Sequence, residues 1–214
     1  MVHIKIFTFN AFSENTYVLY DDTRQGVIID PGCYDRSERD ALAAFIAGEK
    51  LEIKHLLNTH GHVDHVLGNA WVKRTYGVKL LVHPLDEQTL RAVQVYAAPM
   101  YGMVAYEPSE PDGYLEEGDQ VTFGNTTLDV LFVPGHAPGH IAFFHPGQRF
   151  CIGGDVLFQG SIGRYDLPGG NQQTLIGSIT EKLLPLGDDV TVYPGHGPQT
   201  TIGRERKYNP FLQN

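Results

Sequence analysis

The stretch Thr59-His60-Gly61-His62-Val63-Asp64-His65 places three imidazoles and one carboxylate within seven residues, directly behind the apolar run Ile53-Lys54-His55-Leu56-Leu57. The run reads as a short strand and residues 63–76 as a helix, so the cluster falls in a strand-to-helix loop, where open α/β sheets bind ligands. Imidazole nitrogen and carboxylate oxygen are donors that zinc accepts at about 2.0–2.2 Å. Crowded together without a shared cation, such side chains would repel one another or lie unsatisfied once partly buried. The stretch therefore reads as part of a metal site.

Adjacent residues cannot enclose a metal by themselves, and three further segments offer donors. His136 lies in Val133-Pro134-Gly135-His136-Ala137-Pro138-Gly139-His140, Asp155 follows Phe150-Cys151-Ile152-Gly153-Gly154, and His196 lies in Val190-Thr191-Val192-Tyr193-Pro194-Gly195-His196-Gly197. Each ends a β-like run and is bracketed by Gly or Pro, which allow a sharp turn and close backbone approach. One such histidine would pass as an ordinary loop residue. Their recurrence beside a ready-made cluster favours coordination.

In this order, the motifs THGHVDH, PGHAPGH, GGD and PGHG resemble those of the metallo-β-lactamase superfamily and, more narrowly, its glyoxalase II-like thioester hydrolases. The resemblance implies an α/β fold, the four-layer αβ/βα sandwich, with two mixed sheets flanked by helices and metals at the edge between the sheets. It implies one metal held by His60, His62 and His136, a second held by Asp64, His65 and His196, and Asp155 bridging both. Residues 201–211 are similar to the ending of single-domain relatives of glyoxalase II. One domain over residues 1–214 is therefore expected, without the helical C-terminal domain that supplies much of the glutathione site in longer enzymes.

Two metals about 3.5–4 Å apart can share a water, bring its pKa toward neutrality and polarise a scissile carbonyl. The expected function is hydrolysis of a small thioester of S-lactoylglutathione type, with a metal-bridging hydroxide as nucleophile and Asp64 and Asp155 at the catalytic centre. The two divalent ions are expected to be zinc, although iron and manganese accept the same donors. Asp155 suits the bridging position because a carboxylate can serve two ions where an imidazole binds one. Asp64 reads as a ligand, and in mononuclear relatives it could become a proton acceptor. The chain offers no GxSxG elbow and no glycine-rich phosphate loop before a helix, so serine hydrolases and nucleotide enzymes find no support. The resemblance leaves two alternatives: a mononuclear iron persulfide dioxygenase using His60, His136 and Asp155, and a hydrolase of other small esters or lactones. A non-catalytic metal-binding module would have little reason to keep every ligand.

Metal-bound histidines usually donate their other ring nitrogen to an acceptor. Asp30, ending the run Val27-Ile28-Ile29, resembles the family's buried acidic residue near the ligands, and Thr59 is a second candidate for such support. The competing account of Asp30 is a cap on the turn into Pro31-Gly32. His55, His83, His140 and His145 fall outside the ligand pattern and read as loop or packed histidines. Arg164 and Tyr165, in the loop after Asp155, are candidate substrate contacts, Arg164 as an anion anchor or as the ion-pair partner of Asp166. Residues 96–114, with Met100, Tyr101, Met103 and Tyr106 among Pro and Gly, read as a connector or a substrate-facing loop.

The chain has 214 residues, 42% of them hydrophobic, which fits one domain with a sizeable core. The net charge of −9 argues against a nucleic-acid groove, so superfamily nucleases are disfavoured and a small-molecule partner is expected. No charged leader with a following apolar run and no membrane-length apolar stretch is found, and Cys33 and Cys151 form no CxxC pair. A soluble cytoplasmic enzyme without disulfides is expected. Strands are expected at 4–9, 16–20, 26–30, 53–58, 79–83, 127–133, 141–144, 150–152 and 190–193, and helices at 37–47, 63–76, 84–95 and 173–184.

Overall fold

The computed structural model describes residues 1–213. The chain opens with an antiparallel meander of β1 (Val2–Phe9), β2 (Glu14–Asp21) and β3 (Gln25–Ile29). Helix α1 (Arg36–Gly48) then crosses over to β4 (Glu52–Leu57), which lies parallel to β3. A capping box starts α1, with the Glu38 N–H donating to Asp35 Oδ1 at 2.9 Å. Helices α2 (Val63–Val66) and α3 (Asn69–Tyr76) lead to β5 (Lys79–Val82), and α4 (Glu87–Tyr101) leads to β6 (Gly113–Tyr114), both strands continuing the parallel order.

The second half mirrors this plan. Strands β7 (Gln120–Phe123), β8 (Thr126–Phe132), β9 (Ile141–His145) and β10 (Phe150–Gly154) follow one another antiparallel. A small hairpin of β11 (Leu157–Phe158) and β12 (Ser161–Ile162) precedes α5 (Gln172–Ser178), and β13 (Thr191–Pro194) then pairs parallel to β10. Strand β14 (Thr200–Thr201) and α6 (Ile202–Tyr208) follow. Among the described residues the two sheets run β1-β2-β3-β4-β5-β6 and β14-β13-β10-β9-β8-β7.

Alternation along the strands separates the layers. In β2 and β3, Val18 and Ile28 point into a core shared with Leu42 and Ile46 of α1, Val72 of α3 and Leu90 of α4, while Leu19, Val27 and Ile29 point the other way into the core between the sheets. That inter-sheet core also takes Phe123, Leu128, Val130, Phe143 and Ile152. The outer face of the second sheet, with Ala142, Phe144, Cys151 and Val192, is covered by Leu175, Ile179, Leu183 and Ile202. Two sheets with three apolar cores make the four-layer sandwich that the resemblance implies.

Several elements differ from expectation for physical reasons. The helix expected over 63–76 breaks between α2 and α3. There the Gly68 N–H donates to the Pro31 carbonyl at 2.7 Å, and a Cβ on Gly68 would meet Cys33 Sγ at 2.5 Å, so the chain is held against the β3 loop. Helix α4 runs to Tyr101 through Pro99 and stops at Gly102, whose φ of 69° terminates it, so the first part of the connector expected from residue 96 is helical. Helix 173–184 is α-helical only to Ser178 and continues as a π-helical turn, Ile179–Leu183. Strands β6, β7, β11, β12 and β14 and helix α6 were not expected.

This topology gathers strand ends at one edge. The loops after β3, β4, β8, β10 and β13 carry Asp30, the 59–65 cluster, His136, Asp155 and His196. The two sheet edges are tied directly, by the Ile141 N–H donating to the Thr59 carbonyl (2.9 Å) and the Asn15 N–H donating to that of Gly195 (2.7 Å). Among the described residues no helix is long and apolar enough to cross a membrane.

Candidate metal centre

The seven candidate ligands meet at this edge as two trios with a carboxylate between them. His60, His62 and His136 form the first trio, with His136 Nε2 lying 3.2 Å from His60 Nε2 and 2.9 Å from His62 Nδ1. Donors at about 2.0–2.1 Å around one tetrahedral ion lie about 3.3 Å apart, so this spacing fits a single cation. The second trio is Asp64, His65 and His196, with Asp64 Oδ2 at 3.1 Å from His196 Nε2 and 3.6 Å from His65 Nε2. Asp155 Oδ1 lies 3.5 Å from His65 Nε2, and its Oδ2 lies 3.6 Å from His136 Nε2 and 3.5 Å from His196 Nε2.

The histidine tautomers are set from behind. His136 Nδ1 donates to the Arg164 carbonyl at 2.7 Å, His196 Nδ1 to the Phe12 carbonyl at 3.1 Å, and His65 Nδ1 to Asp30 Oδ2 at 3.1 Å. His60 Nδ1 lies 3.0 Å from Thr59 Oγ1, whose own hydroxyl donates to Asp30 Oδ2 at 2.6 Å, so the hydroxyl accepts from the ring. In each case the outward nitrogen carries the proton and Nε2 turns its lone pair inward, as metal-bound imidazoles require. His62 differs by facing inward through Nδ1.

Two buried atoms of the centre have no hydrogen-bond partner, His65 Nε2 and Asp155 Oδ1. Such atoms cost about 1–3 kcal/mol each if left unsatisfied. They face one another in a cradle that a Cβ on Gly195 would fill, since it would strike Asp155 Oδ1. The donor set, the orphaned atoms and the space they share fit a pair of divalent cations.

Asp30 sits at φ 49°, a left-handed conformation rare outside Gly, Asn and Asp. Its carboxylate accepts from the Thr59 N–H (2.7 Å) as well as from the Thr59 hydroxyl and His65. The Gly32 N–H goes instead to Thr16 Oγ1 (2.9 Å), so the turn-capping account of Asp30 does not describe the geometry. Asp30, His60 and His65 also gather three donor atoms, but these are the nitrogens and oxygens already joined in that network.

Three residues in this shell carried no assigned role in the sequence. His140 is fully buried, stacks on His60 with ring centroids 4.8 Å apart, and accepts the Asp155 N–H at its Nε2 (3.0 Å). Asp86 accepts the N–H groups of Gly61 and Gly139 (the latter at 3.2 Å) and the Thr89 hydroxyl (3.0 Å), pinning the two histidine loops together. Burial pushes its carboxyl above the ordinary range despite these donors. Glu14 lies fully buried behind His65 at 3.9 Å, and burial drives its carboxyl well up. Only His140 had a sequence signal, the repeated PGH of PGHAPGH.

Of the other histidines, His55 Nε2 lies 3.2 Å from the Thr122 carbonyl, and His83 and His145 stack on Phe132 and Phe150. None of these three joins a donor cluster among the described residues. The Arg164 guanidinium is exposed and pairs with Asp166 through two N–H groups, at 3.0 and 2.9 Å. Tyr165 is half-buried against the outer core of the second sheet and lines a groove with Ile162, Arg164, Asp166 and Phe211.

Residues 10–196 match the sequence profile of the metallo-beta-lactamase superfamily. The chain belongs to that superfamily. It is 38% identical to hydroxyacylglutathione hydrolase GloC of Haemophilus influenzae, over 100% of this chain and 99% of that protein. Among solved structures, the B3 metallo-beta-lactamase BLEG-1 superposes with a TM-score of 0.88 at 34% identity, over 99% of this chain and 100% of that one. TTHA1623 in a di-iron-bound form superposes with a TM-score of 0.84 at 38% identity, over 97% of this chain and 100% of that one. The chain is thus a metallo-hydrolase of a family whose members bind divalent metals.

Proposed function

We propose that this protein is a binuclear metallohydrolase that cleaves a small thioester of the S-lactoylglutathione type. The observation that carries the reading is the second trio, complete beside the first, with the Asp155 carboxylate within 3.6 Å of nitrogens from both. The likeness to hydroxyacylglutathione hydrolase GloC supports the substrate class. His60, His62 and His136 would hold one ion, Asp64, His65 and His196 the other, and Asp155 both, with zinc the first candidate and iron or manganese compatible with the donors. When bound, such a pair supplies Lewis acidity toward the scissile carbonyl and a water acidified toward neutrality.

The chain's own residues orient this chemistry. Asp30, Thr59 and the carbonyls of Phe12 and Arg164 hold four imidazoles with their lone pairs inward. His140 fixes the main chain of Asp155, and Asp86 fixes the separation of the two histidine loops. Arg164 and Tyr165 flank the groove beside the centre and are its proposed substrate contacts. We assign the protein to the cytoplasm, in keeping with two buried cysteines that form no disulfide, and to a small-molecule substrate in place of a nucleic acid, in keeping with the net charge of −9.

A second reading rests on a smaller part of the same centre. His60, His136 and Asp155 form a three-donor face by themselves, with nitrogens 3.2 Å apart and Asp155 Oδ2 at 3.6 Å, which suits one iron in a persulfide dioxygenase. Metal content of the purified protein, measured beside turnover of S-D-lactoylglutathione with and without chelator, separates the readings. About two ions per chain and chelator-sensitive thioester cleavage are expected. One iron per chain with oxygen uptake on glutathione persulfide, and no thioester cleavage, would overturn the hydrolase.

A further inference from the structure

Aromatic rings stand beside the second trio, and the backbone of one of them, Phe12, is fastened to a candidate ligand. Phe12 sits in the β1–β2 turn, where Asn10 and Ser13 adopt left-handed φ of 53° and 56°. Its carbonyl accepts from His196 Nδ1, its N–H donates to Asn10 Oδ1 (2.9 Å), and Asn10 Nδ2 donates to the carbonyls of Asp64 and Gly32 (3.0 Å each). The turn is therefore tied to both sides of the second trio. Its aromatic ring still stands 36% exposed.

Tyr101, the last residue of α4, meets Phe12 edge-on at 5.2 Å and is 43% exposed. Tyr96, one turn earlier, packs against Tyr101 at 6.0 Å. On the other flank, the Phe158 ring lies 6.4 Å from that of His196. The Arg164 guanidinium, by contrast, is held in its charged form by its hydrogen bonds to Asp166. Arg164 in turn bonds His136 through its carbonyl. The rings of Phe12, whose carbonyl meets His196, and of Tyr101 against it thus stand beside the second trio.

The Arg164 guanidinium in the loop after Asp155 is already engaged. Recognition of a carboxylate calls for a free guanidinium fork, and two N–H groups of Arg164 are on Asp166. Beyond it, the adjoining groove is walled by Ile162, Tyr165 and Phe211. Aromatic rings held rigidly in water gain most when an apolar ligand covers them.

We propose that these rings select the apolar part of an acyl compound, with Phe12 and Tyr101 as specificity residues, so that the enzyme takes neutral thioesters with apolar acyl groups and does not depend on the carboxylates of glutathione. The proposal rests on the thioester-hydrolase reading above and extends it to a wider substrate class.

The test is a series of N-acetylcysteamine thioesters, from acetyl through butanoyl and hexanoyl to octanoyl, with hexanoylglutathione alongside, given to the enzyme loaded with two metals. A fully covered methylene is worth about 4-fold in kcat/KM, so partial cover predicts a rise of at least about 10-fold from acetyl to hexanoyl. The hexanoyl to acetyl ratio falls below about 3 in Phe12→Ala and Tyr101→Ala and is largely restored in Phe12→Leu, where an apolar side chain remains. Because the ratio is taken within one preparation, partial misfolding of a variant does not imitate the effect. A flat series with cleavage intact, or hexanoylglutathione preferred more than about 10-fold over the neutral hexanoyl thioester, overturns the proposal and leaves the hydrolase standing. Failure to cleave any thioester in the series while S-D-lactoylglutathione is cleaved overturns the proposal alone, and failure on S-D-lactoylglutathione as well overturns both.

Discussion

The two donor trios stand on opposite electrostatic footing. In the first, burial holds His60 well below its ordinary range, with the neighbouring His65, His62 and His140 pushing the same way, and burial followed by His136 brings His62 down to about 3. In the second, burial works against protonation of His65 and His196. The Asp64 and Asp155 carboxylates outweigh it, and both imidazoles end above their ordinary range. His60 and His62 of the first trio are therefore neutral rings. The second sets raised imidazoles against carboxylates, with His65 Nε2 and Asp155 Oδ1 still lacking a hydrogen-bond partner. A cation at the first would meet imidazoles already free of protons at His60 and His62, and one at the second would have to displace protons.

The largest effect belongs to the residue the trios share. Asp155→Ala removes the one carboxylate facing both, and uncovers His65 and His136 together. Losing one partner of a buried charged pair costs about 3–5 kcal/mol, so kcat/KM for the thioester should fall about 10³-fold or more and metal content with it. Full activity in this variant would break the assignment of the centre.

His196→Ala divides the trios. It leaves His60, His62 and His136 intact and strips the second trio of a donor that sits 3.1 Å from Asp64. One ion per chain should remain and hydrolysis should drop about 10²-fold, the scale of removing one preorganised stabilising group. An equal drop with two ions retained would mean that His196 acts other than as a ligand.

The contrast in protonation predicts an order of metal loss with acid. A histidine whose pKa is raised stays protonated until the pH climbs through that raised value, so protons compete with the second ion from above the ordinary histidine range downward. Depressed values leave His60 and His62 of the first trio free of protons down to far lower pH, with His62 at about 3. As the pH falls from 8, the ion of the second trio should leave first, with activity following it. Calorimetry in buffers of different ionisation enthalpy should find about one to two protons released with one ion and none with the other. Equal proton release for both ions would erase the distinction.

The sequence exposed the candidate ligands because they are local in the chain or repeat a local pattern. The 59–65 stretch announces itself by composition, and His136, Asp155 and His196 each end a strand beside glycine or proline. The layering came from the resemblance alone, since Val18 and Leu19, or Ile28 and Ile29, are all apolar and only the structure divides them between two cores. What stayed hidden depends on contacts far apart in the chain. Asp86 reads as an ordinary acid at a helix start, yet it takes N–H groups from Gly61 and Gly139. Glu14 carries no local signal and proves to be fully buried behind His65. The helix break at Gly68 likewise follows from Pro31, whose position against it no window of local sequence reveals.

The support behind the first trio can be sharpened with two smaller changes. Asp86→Asn keeps the volume but gives the site an amide in place of a carboxylate that accepts two backbone N–H groups, one from each histidine loop. Affinity for the first ion should weaken about 10- to 30-fold, within the range for groups that orient ligands without touching the metal. Thr59→Val is gentler. It removes the hydroxyl that accepts from His60 Nδ1 and donates to Asp30 Oδ2, while the Asp30 contacts to the Thr59 N–H and to His65 remain. Only His60 loses its orientation, so the first ion should bind about 10-fold more weakly and the second should be unaffected. Competition with a graded series of chelators reads the two ions separately. If Thr59→Val instead weakened both ions alike, Asp30 would be acting through Thr59 on the whole centre, and the two trios would be a single unit.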